Sequence, residues 1–419
     1  MTQLCTYVLL LGCFVANAGA AETQYQSRDI SFAGAAGDSL SGSLTLPNGK
    51  GPFPAIVLLG GSERLDRTGI YNWANADAFV EQGIAVFSFD SPGRGKSEGN
   101  RWGRTHEERT SDALAAIRAI ASSPDIIEES IGLYGVSEGG VIAFRAASLS
   151  KSVAFAITIS APAVTFESNV DNKVRTLCVL SGLQGEPLEK LVTFNRLTVA
   201  LARGSNMIDA IELTKTVEEW NDPKWKSLIS LVKKQSSVNR ESIRDAFVEI
   251  AKQWESADWF ERNKKLRELQ TPLLQLMGFD LSDLDAELDE PLTARSLVEF
   301  DSAVLAKIIA SDSPNAMLMT ADRSREEDPV TFLMKVTCPT LCIYGEKDHD
   351  MSTYPKIVLD VFSCTKHGDA IVRVFEGAGH QLEVTNGKRV TGGALRKYRH
   401  KEVDPLILSW ILKRFPATP

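Results

Sequence analysis

Residues 131–140 read Ile131-Gly132-Leu133-Tyr134-Gly135-Val136-Ser137-Glu138-Gly139-Gly140, and residues 141–148 continue as Val-Ile-Ala-Phe-Arg-Ala-Ala-Ser. The first half is a short apolar run that ends on a glycine, as expected of a buried strand. The second half is rich in alanine and reads as a helix. Between them Ser137 stands in a G-x-S-x-G pattern, Gly135 to Gly139. A strand that turns straight into a helix leaves no room for side chains on the closest neighbours, which the glycines satisfy. Such a turn lifts a hydroxyl to the helix N-terminus, where backbone N–H groups face outward. Ser137 is therefore the candidate nucleophile.

The same alternation extends to both sides. Strand-like runs occupy residues 54–59, 84–89, 130–134, 153–159, 340–344 and 370–375. Helical spacing occupies residues 71–82, 106–122, 138–148, 354–362 and 405–415. Residues 29–47 alternate apolar and polar positions and predict a leading hairpin. Alternating strand and helix predicts a mostly parallel sheet with helices on both faces. The pattern stops near Pro162. Residues 163–329 are charged and helical, with periodic stretches at 188–202, 237–254 and 294–309. Trp220, Trp225, Trp254 and Trp259 fall there, as core of a small helical unit or as lining of an entrance. The expected organisation is a core in two parts, residues 21–162 and 330–419, with a helical cap inserted at 163–329.

A serine hydroxyl needs a base. The chain has five histidines: His106, His349, His367, His380 and His400. His380 lies in Glu376-Gly377-Ala378-Gly379-His380, directly after the last strand-like run, where the glycines let the loop fold back over the sheet. His367 precedes that run, His106 and His400 begin helices, and His349 reads as a bystander. A third group must orient the imidazole. Asp348, in Gly345-Glu346-Lys347-Asp348, is the choice, with Asp350 and then Glu346 as alternatives. An oxyanion hole needs two N–H donors. The amide of Glu138 supplies one, and the amide of Ser62, in Gly60-Gly61-Ser62, supplies the other.

These residues resemble the α/β-hydrolase superfamily, in particular bacterial cap-containing esterases related to the serine aminopeptidase-like group. The order Ser137, Asp348, His380 is the order of that superfamily. Gly61-Ser62-Glu63-Arg64-Leu65-Asp66-Arg67 is similar to the G-S-G-P-x-D-R loop of such esterases. Asp90-Ser91-Pro92-Gly93-Arg94-Gly95-Lys96-Ser97 resembles their D-x-R-G-x-G-x-S loop. Asp328-Pro329 and Lys335-Val336-Thr337-Cys338-Pro339 resemble the approach to the acid strand. The likeness covers residues 25–165 and 328–415 and omits the cap. In two places the sequence departs from it: Gly60 stands where a histidine is frequent, and Glu63 replaces a glycine. The resemblance implies an α/β-hydrolase fold with an eight-stranded sheet, cleavage of a small-molecule carboxylic ester through an acyl-enzyme, and no metal or organic cofactor. Amidase or peptidase, thioesterase and acyltransferase chemistry would use the same triad. A non-catalytic binding protein is the remaining reading.

Bulk properties agree. The 419 residues are 43% hydrophobic and 24% charged, enough for a sizeable core. A net charge of −8 argues against a nucleic-acid partner. Residues 1–20 carry no Lys, Arg, Asp or Glu, hold an apolar run, and end in Ala18-Gly19-Ala20. They read as a secretory signal peptide, with export as the expectation. That run is too short for stable membrane insertion. Leu10-Leu11-Gly12-Cys13 offers lipid anchoring as a lesser alternative. Of six cysteines, Cys178, Cys338, Cys342 and Cys364 lie beyond that leader. Cys338 and Cys342, read as sharing one strand, would stand roughly 13 Å apart, beyond disulfide reach. Buried free thiols are expected, and a bridge from Cys178 is left open.

Overall fold

The computed structural model describes residues 25–61, 66–99, 104–165, 168, 175, 184–203, 208–223, 225–226, 328–348, 353–385 and 397–416. β1 (Gln26–Ala33) and β2 (Ser39–Leu46) form the expected hairpin, with Gln26 opposite Leu46 and Ala33 opposite Ser39. The remaining strands are β3 (Phe53–Leu59), β4 (Ala85–Phe89), β5 (Ile126–Val136), β6 (Ala156–Ile159), β7 (Thr340–Gly345) and β8 (Ala370–Phe375). The sheet has eight strands in the order β1-β2-β4-β3-β5-β6-β7-β8. Only the β1–β2 and β2–β4 ladders are antiparallel. The mostly parallel eight-stranded sheet read from the sequence is thus present.

Among the described residues the helices, in chain order, are α1 (Arg67–Trp73), α2 (Ala76–Glu81), α3 (His106–Ala121), α4 (Glu138–Leu149), α5 (Glu186–Arg203), α6 (Ile208–Glu219), α7 (Pro329–Leu333), α8 (Tyr354–Cys364) and α9 (Val403–Arg414). Every residue of β3 and of β7 is buried. Cover on both faces explains why these strands read as unbroken apolar runs. Side chains alternate between the faces. Ala55, Val57 and Leu59 join a core closed by α3, α4 and α8. Ile56 and Leu58 join a second core closed by α1, α2 and α9. Each large side chain so buried contributes about 1.5–3 kcal/mol.

Some expectations need correction. Residues 71–82 are not one helix. α1 ends at Trp73 and α2 starts at Ala76, because Asn75 adopts a left-handed φ of 56°. Asparagine tolerates that conformation, and the Asn75 amide is held by Asp404 at 2.7 Å. β5 begins at Ile126, and β6 is shortened to Ala156–Ile159. Cys338 precedes β7, so it shares no strand with Cys342. Both are free thiols, and burial pushes Cys342 up to about 12 and Cys338 up to about 11. Cys364 is also free but exposed, not buried. Cys178 lies outside the described residues.

Within the expected insertion, α5 matches the periodicity read at 188–202, and α6 packs against it. Trp225 lies 5.1 Å from both Phe194 and Trp220, centroid to centroid, so these two tryptophans are packed in an aromatic cluster. The helices read at 237–254 and 294–309, Trp254, Trp259 and the leader at 1–20 lie outside the described residues. Among the described residues no helix is long and apolar enough to cross a membrane.

Candidate active site

Strand order places the site before any side chain is considered. From β3 the chain moves outward to β4, then returns across β3 to β5 and continues the other way to β6. Neighbouring β3 and β5 therefore send their following segments in opposite directions. A crevice opens at such a switch point, beyond the carboxyl ends of the strands. Gly60 and Gly61 follow β3 there, and Ser137 follows β5.

Ser137 has φ 50° and ψ −119°, a region costly for a residue with a Cβ. The turn is held from both sides. Ser137 N–H donates to Ile159 O at 2.7 Å, and Gly140 N–H donates to Ser137 O at 2.9 Å. The glycines are required by contact as well as by pattern. A Cβ on Gly135 would stand 2.2 Å from Gly139 O. Ser137 is partly exposed at the start of α4, and Glu138 is the first helical residue, so its amide belongs to the helix N-terminus.

Asp348 follows β7, and His380 lies in the turn beyond β8. His380 Nδ1 is 2.8 Å from Asp348 Oδ2. The carboxylate is buried, with 2% of the Asp348 side chain exposed against 35% for His380, so the pair points from core to crevice. Backbone bonds tie the two loops together: Glu346 N–H donates to Phe375 O at 2.9 Å, and Lys347 N–H to Ala378 O at 2.8 Å. The Glu346 carboxylate accepts from Gly377 N–H at 2.9 Å, so it serves the turn and not the imidazole. Asp350 and His349 lie outside the described residues. Beyond His380, Gln381 accepts from Trp73 Nε1 at 2.8 Å. Ser137 reaches the same edge of the sheet as the Asp348–His380 pair, two strands away. Ser62, the second expected oxyanion donor, and Glu63 lie outside the described residues.

The two loops singled out by likeness clasp each other. Asp90, buried at the end of β4, accepts from Arg67 N at 2.8 Å, Arg67 Nε at 2.9 Å and Arg67 Nη2 at 2.8 Å. It also accepts from Lys96 N at 2.9 Å. The start of α1 is thus fastened to the end of β4.

The sequence reading missed the surroundings of Glu138. Its side chain is buried, 2.7 Å from Arg109 Nη1 and 3.0 Å from His106 Nε2. Arg109 Nη2 also donates to Gly60 O at 2.8 Å. A signal was present. His106 and Arg109 are three apart on one helix face, and a carboxylate beside a buried turn requires such partners. Two other described histidines have aromatic neighbours: His367 packs on Phe362 and His400 on Phe375, each at 4.8 Å. Burial holds the His367 pKa below its usual value. Among the described residues no group of three or more His, Cys, Asp or Glu is placed to hold a metal ion.

The model of a family described as serine aminopeptidase, S33, matches residues 55–242. A thiohydrolase, aneE, from Aspergillus aculeatus is 33% identical over 132 residues, which is 31% of this chain and 40% of that protein. Esterase FrsA from an Enterobacter species is 29% identical over 137 residues, 33% of this chain and 32% of the esterase. The chain thus spans less than half the length of these curated relatives. Among solved structures, the hypothetical protein PA2218 from Pseudomonas aeruginosa aligns over 94% of this chain and 95% of its own, at 18% identity and a TM-score of 0.48.

Proposed function

Starting from an eight-stranded, mostly parallel sheet of the α/β-hydrolase fold and a match to the serine aminopeptidase, S33, family over residues 55–242, we propose a serine hydrolase that cleaves carboxylic esters through an acyl-enzyme on Ser137. The observation that carries this reading is the 2.8 Å contact of a buried Asp348 with His380, on the same sheet edge as the strained Ser137 turn. Asp348 holds Nδ1, so proton transfer falls to Nε2. Nε2 takes the Ser137 Oγ proton as Oγ bonds to the ester carbonyl carbon. The oxyanion is met by the Glu138 amide and by an amide of the loop after β3, read as that of Ser62. Collapse breaks the bond to the alcohol oxygen, which leaves with the proton from Nε2. Water then repeats the sequence and releases the acid.

A thioester is the second reading, favoured by the likeness to a thiohydrolase. The helices inserted between β6 and β7 act as a cap that sets acyl preference, since caps shape the pocket and limit water. Residues 1–20 direct export, and a mature protein starting at residue 21 is the expected product by N-terminal sequencing.

The deciding experiment is labelling by a fluorophosphonate probe, followed by rates on p-nitrophenyl esters, acyl thioesters and aminoacyl amides. Labelling lost in Ser137→Ala, with esters turned over fastest, supports the proposal. A Ser137→Ala variant with full activity sinks it.

A further inference from the structure

We infer that Arg109 is a positioning residue that locks together the two halves of the oxyanion hole, with Glu138 as its anchor. The inference rests on Ser137 being the nucleophile. Arg109, on the first turn of α3, divides its guanidinium between two places. Nη1 lies 2.7 Å from the Glu138 carboxylate, on the residue after Ser137. Nη2 donates to Gly60 O at 2.8 Å and lies 3.5 Å from Gly61 O, at the end of β3. One planar, always charged group therefore touches both segments from which oxyanion donors are drawn. A guanidinium can bridge two such acceptors because its N–H groups are fixed in one fork.

Two physical effects follow. The first is orientation. In a trans peptide the C=O and the next N–H point in opposite directions. A guanidinium that grips the Gly60 carbonyl from the α3 side turns the Gly61 N–H away from α3. A weaker contact, 3.5 Å, reaches the Gly61 carbonyl. Without Arg109 these peptides can rotate, since glycine imposes little backbone preference. The second effect is electrostatic. Glu138 carries both a proposed oxyanion donor and a buried carboxylate, 5% exposed. Less fully neutralised, that negative charge would oppose the charge that develops on the substrate oxygen. Arg109 and His106, at 3.0 Å, face it. Gly139 packs against the Leu59 and Gly60 carbonyls, so any shift of the β3 end is passed directly to the elbow.

The test is kinetic, on the full chain with p-nitrophenyl acetate. Arg109→Gln is expected to lower kcat about tenfold to a hundredfold, less than the about 10²–10³ lost when an oxyanion donor is removed outright, and to leave KM within about threefold. Binding of a boronic acid that mimics the tetrahedral intermediate weakens by the same factor. Adding Glu138→Gln to Arg109→Gln recovers part of the lost kcat, because the less fully neutralised charge is removed while the loop stays unfastened. An Arg109→Gln protein that melts normally and keeps kcat within twofold overturns the inference, as does a loss confined to KM. Should Arg109→Gln fail to fold, Arg109→Lys decides. It keeps the charge but not the fork, so kcat must fall in a folded protein. Wild-type kcat in Arg109→Lys, or failure of both variants to fold, overturns the positioning role. Activity retained in Ser137→Ala would instead refute the nucleophile assignment, so the two failures are distinct.

Discussion

Gly139 in the elbow and Leu59 at the end of β3 meet backbone to backbone: a Cβ on Gly139 would stand 2.3 Å from the Leu59 carbonyl oxygen and 2.6 Å from that of Gly60. Neither atom is the end of a flexible side chain, so nothing cheap can yield. Gly139→Ala must push β3 from β5 or unwind the start of α4. The expected result is a loss of about 2 kcal/mol or more in urea unfolding, at the upper end for over-packing. Activity should fall further than stability implies, since the displaced atoms frame the crevice. An Ala variant with wild-type kcat would show that the elbow tolerates more space than these contacts allow.

Asp348→Asn keeps the size of the side chain but removes its charge and offers an N–H or a weaker acceptor to His380 Nδ1. The imidazole then loses the partner that sets its tautomer and steadies its charged form. kcat is expected to fall by about 10³–10⁴, with KM little changed. Because the two residues act as one unit, adding Asp348→Asn to His380→Ala should cost almost nothing more. Multiplicative losses in the double variant would mean that Asp348 acts by some other route.

The central sheet was legible because each buried strand carries its own apolar run, and the sharp turn at Ser137 was legible because its neighbours had to be glycine. His380 and Asp348 followed from strand ends, which the runs at 340–344 and 370–375 already marked. What the sequence hid depends on docking between distant segments. Nothing local in residues 71–82 announces that Asn75 will turn left-handed, because its partner Asp404 is 329 positions away. The Arg109–Glu138 pair is hidden for the same reason, as α3 must first settle beside α4. Arg67 and Asp90 were noticed only through likeness, yet their contact is an ordinary buried ion pair of 2.8 Å that joins two loops.

Asp112 gives a pH dependence of stability. It is buried on α3, accepts from Ala35 N–H at 2.7 Å, and burial raises its pKa above the usual carboxylate value. The folded protein therefore binds a proton more tightly at Asp112 than the unfolded chain does. By linkage this contribution is fully present below the unfolded pKa and is lost as pH rises through the folded one. Asp112→Asn keeps an acceptor for Ala35 and has no charge to bury. Its melting temperature relative to wild type should rise between about pH 4 and pH 8. A difference that stays flat across that range would show that Asp112 does not change charge there.

Arg399 tests how the loop beyond His380 is secured. Its side chain is 6% exposed, with Nε 2.9 Å from Asp404 Oδ1 and Nη2 donating to Tyr134 Oη at 2.7 Å. Nη1 donates to Trp73 O at 3.2 Å, and the guanidinium lies 5.3 Å from the Trp73 ring centroid. Trp73 in turn holds Gln381, the neighbour of His380. Arg399→Met fills the space but leaves Asp404 with Asn75 and no cation, and it strands the Tyr134 hydroxyl in the core. Breaking a buried pair in this way costs about 3 kcal/mol. Asp404→Asn added to Arg399→Met should return part of that loss, since the unpaired charge is gone. Both changes are read by urea unfolding. The catalytic rate is a separate readout: the Trp73–Gln381 bond survives in Arg399→Met, so kcat should change by far less than the about hundredfold expected if His380 itself moved by about 1 Å. A collapse of kcat in a protein of unchanged stability would place Arg399 in the support of His380 and not in the packing of α9.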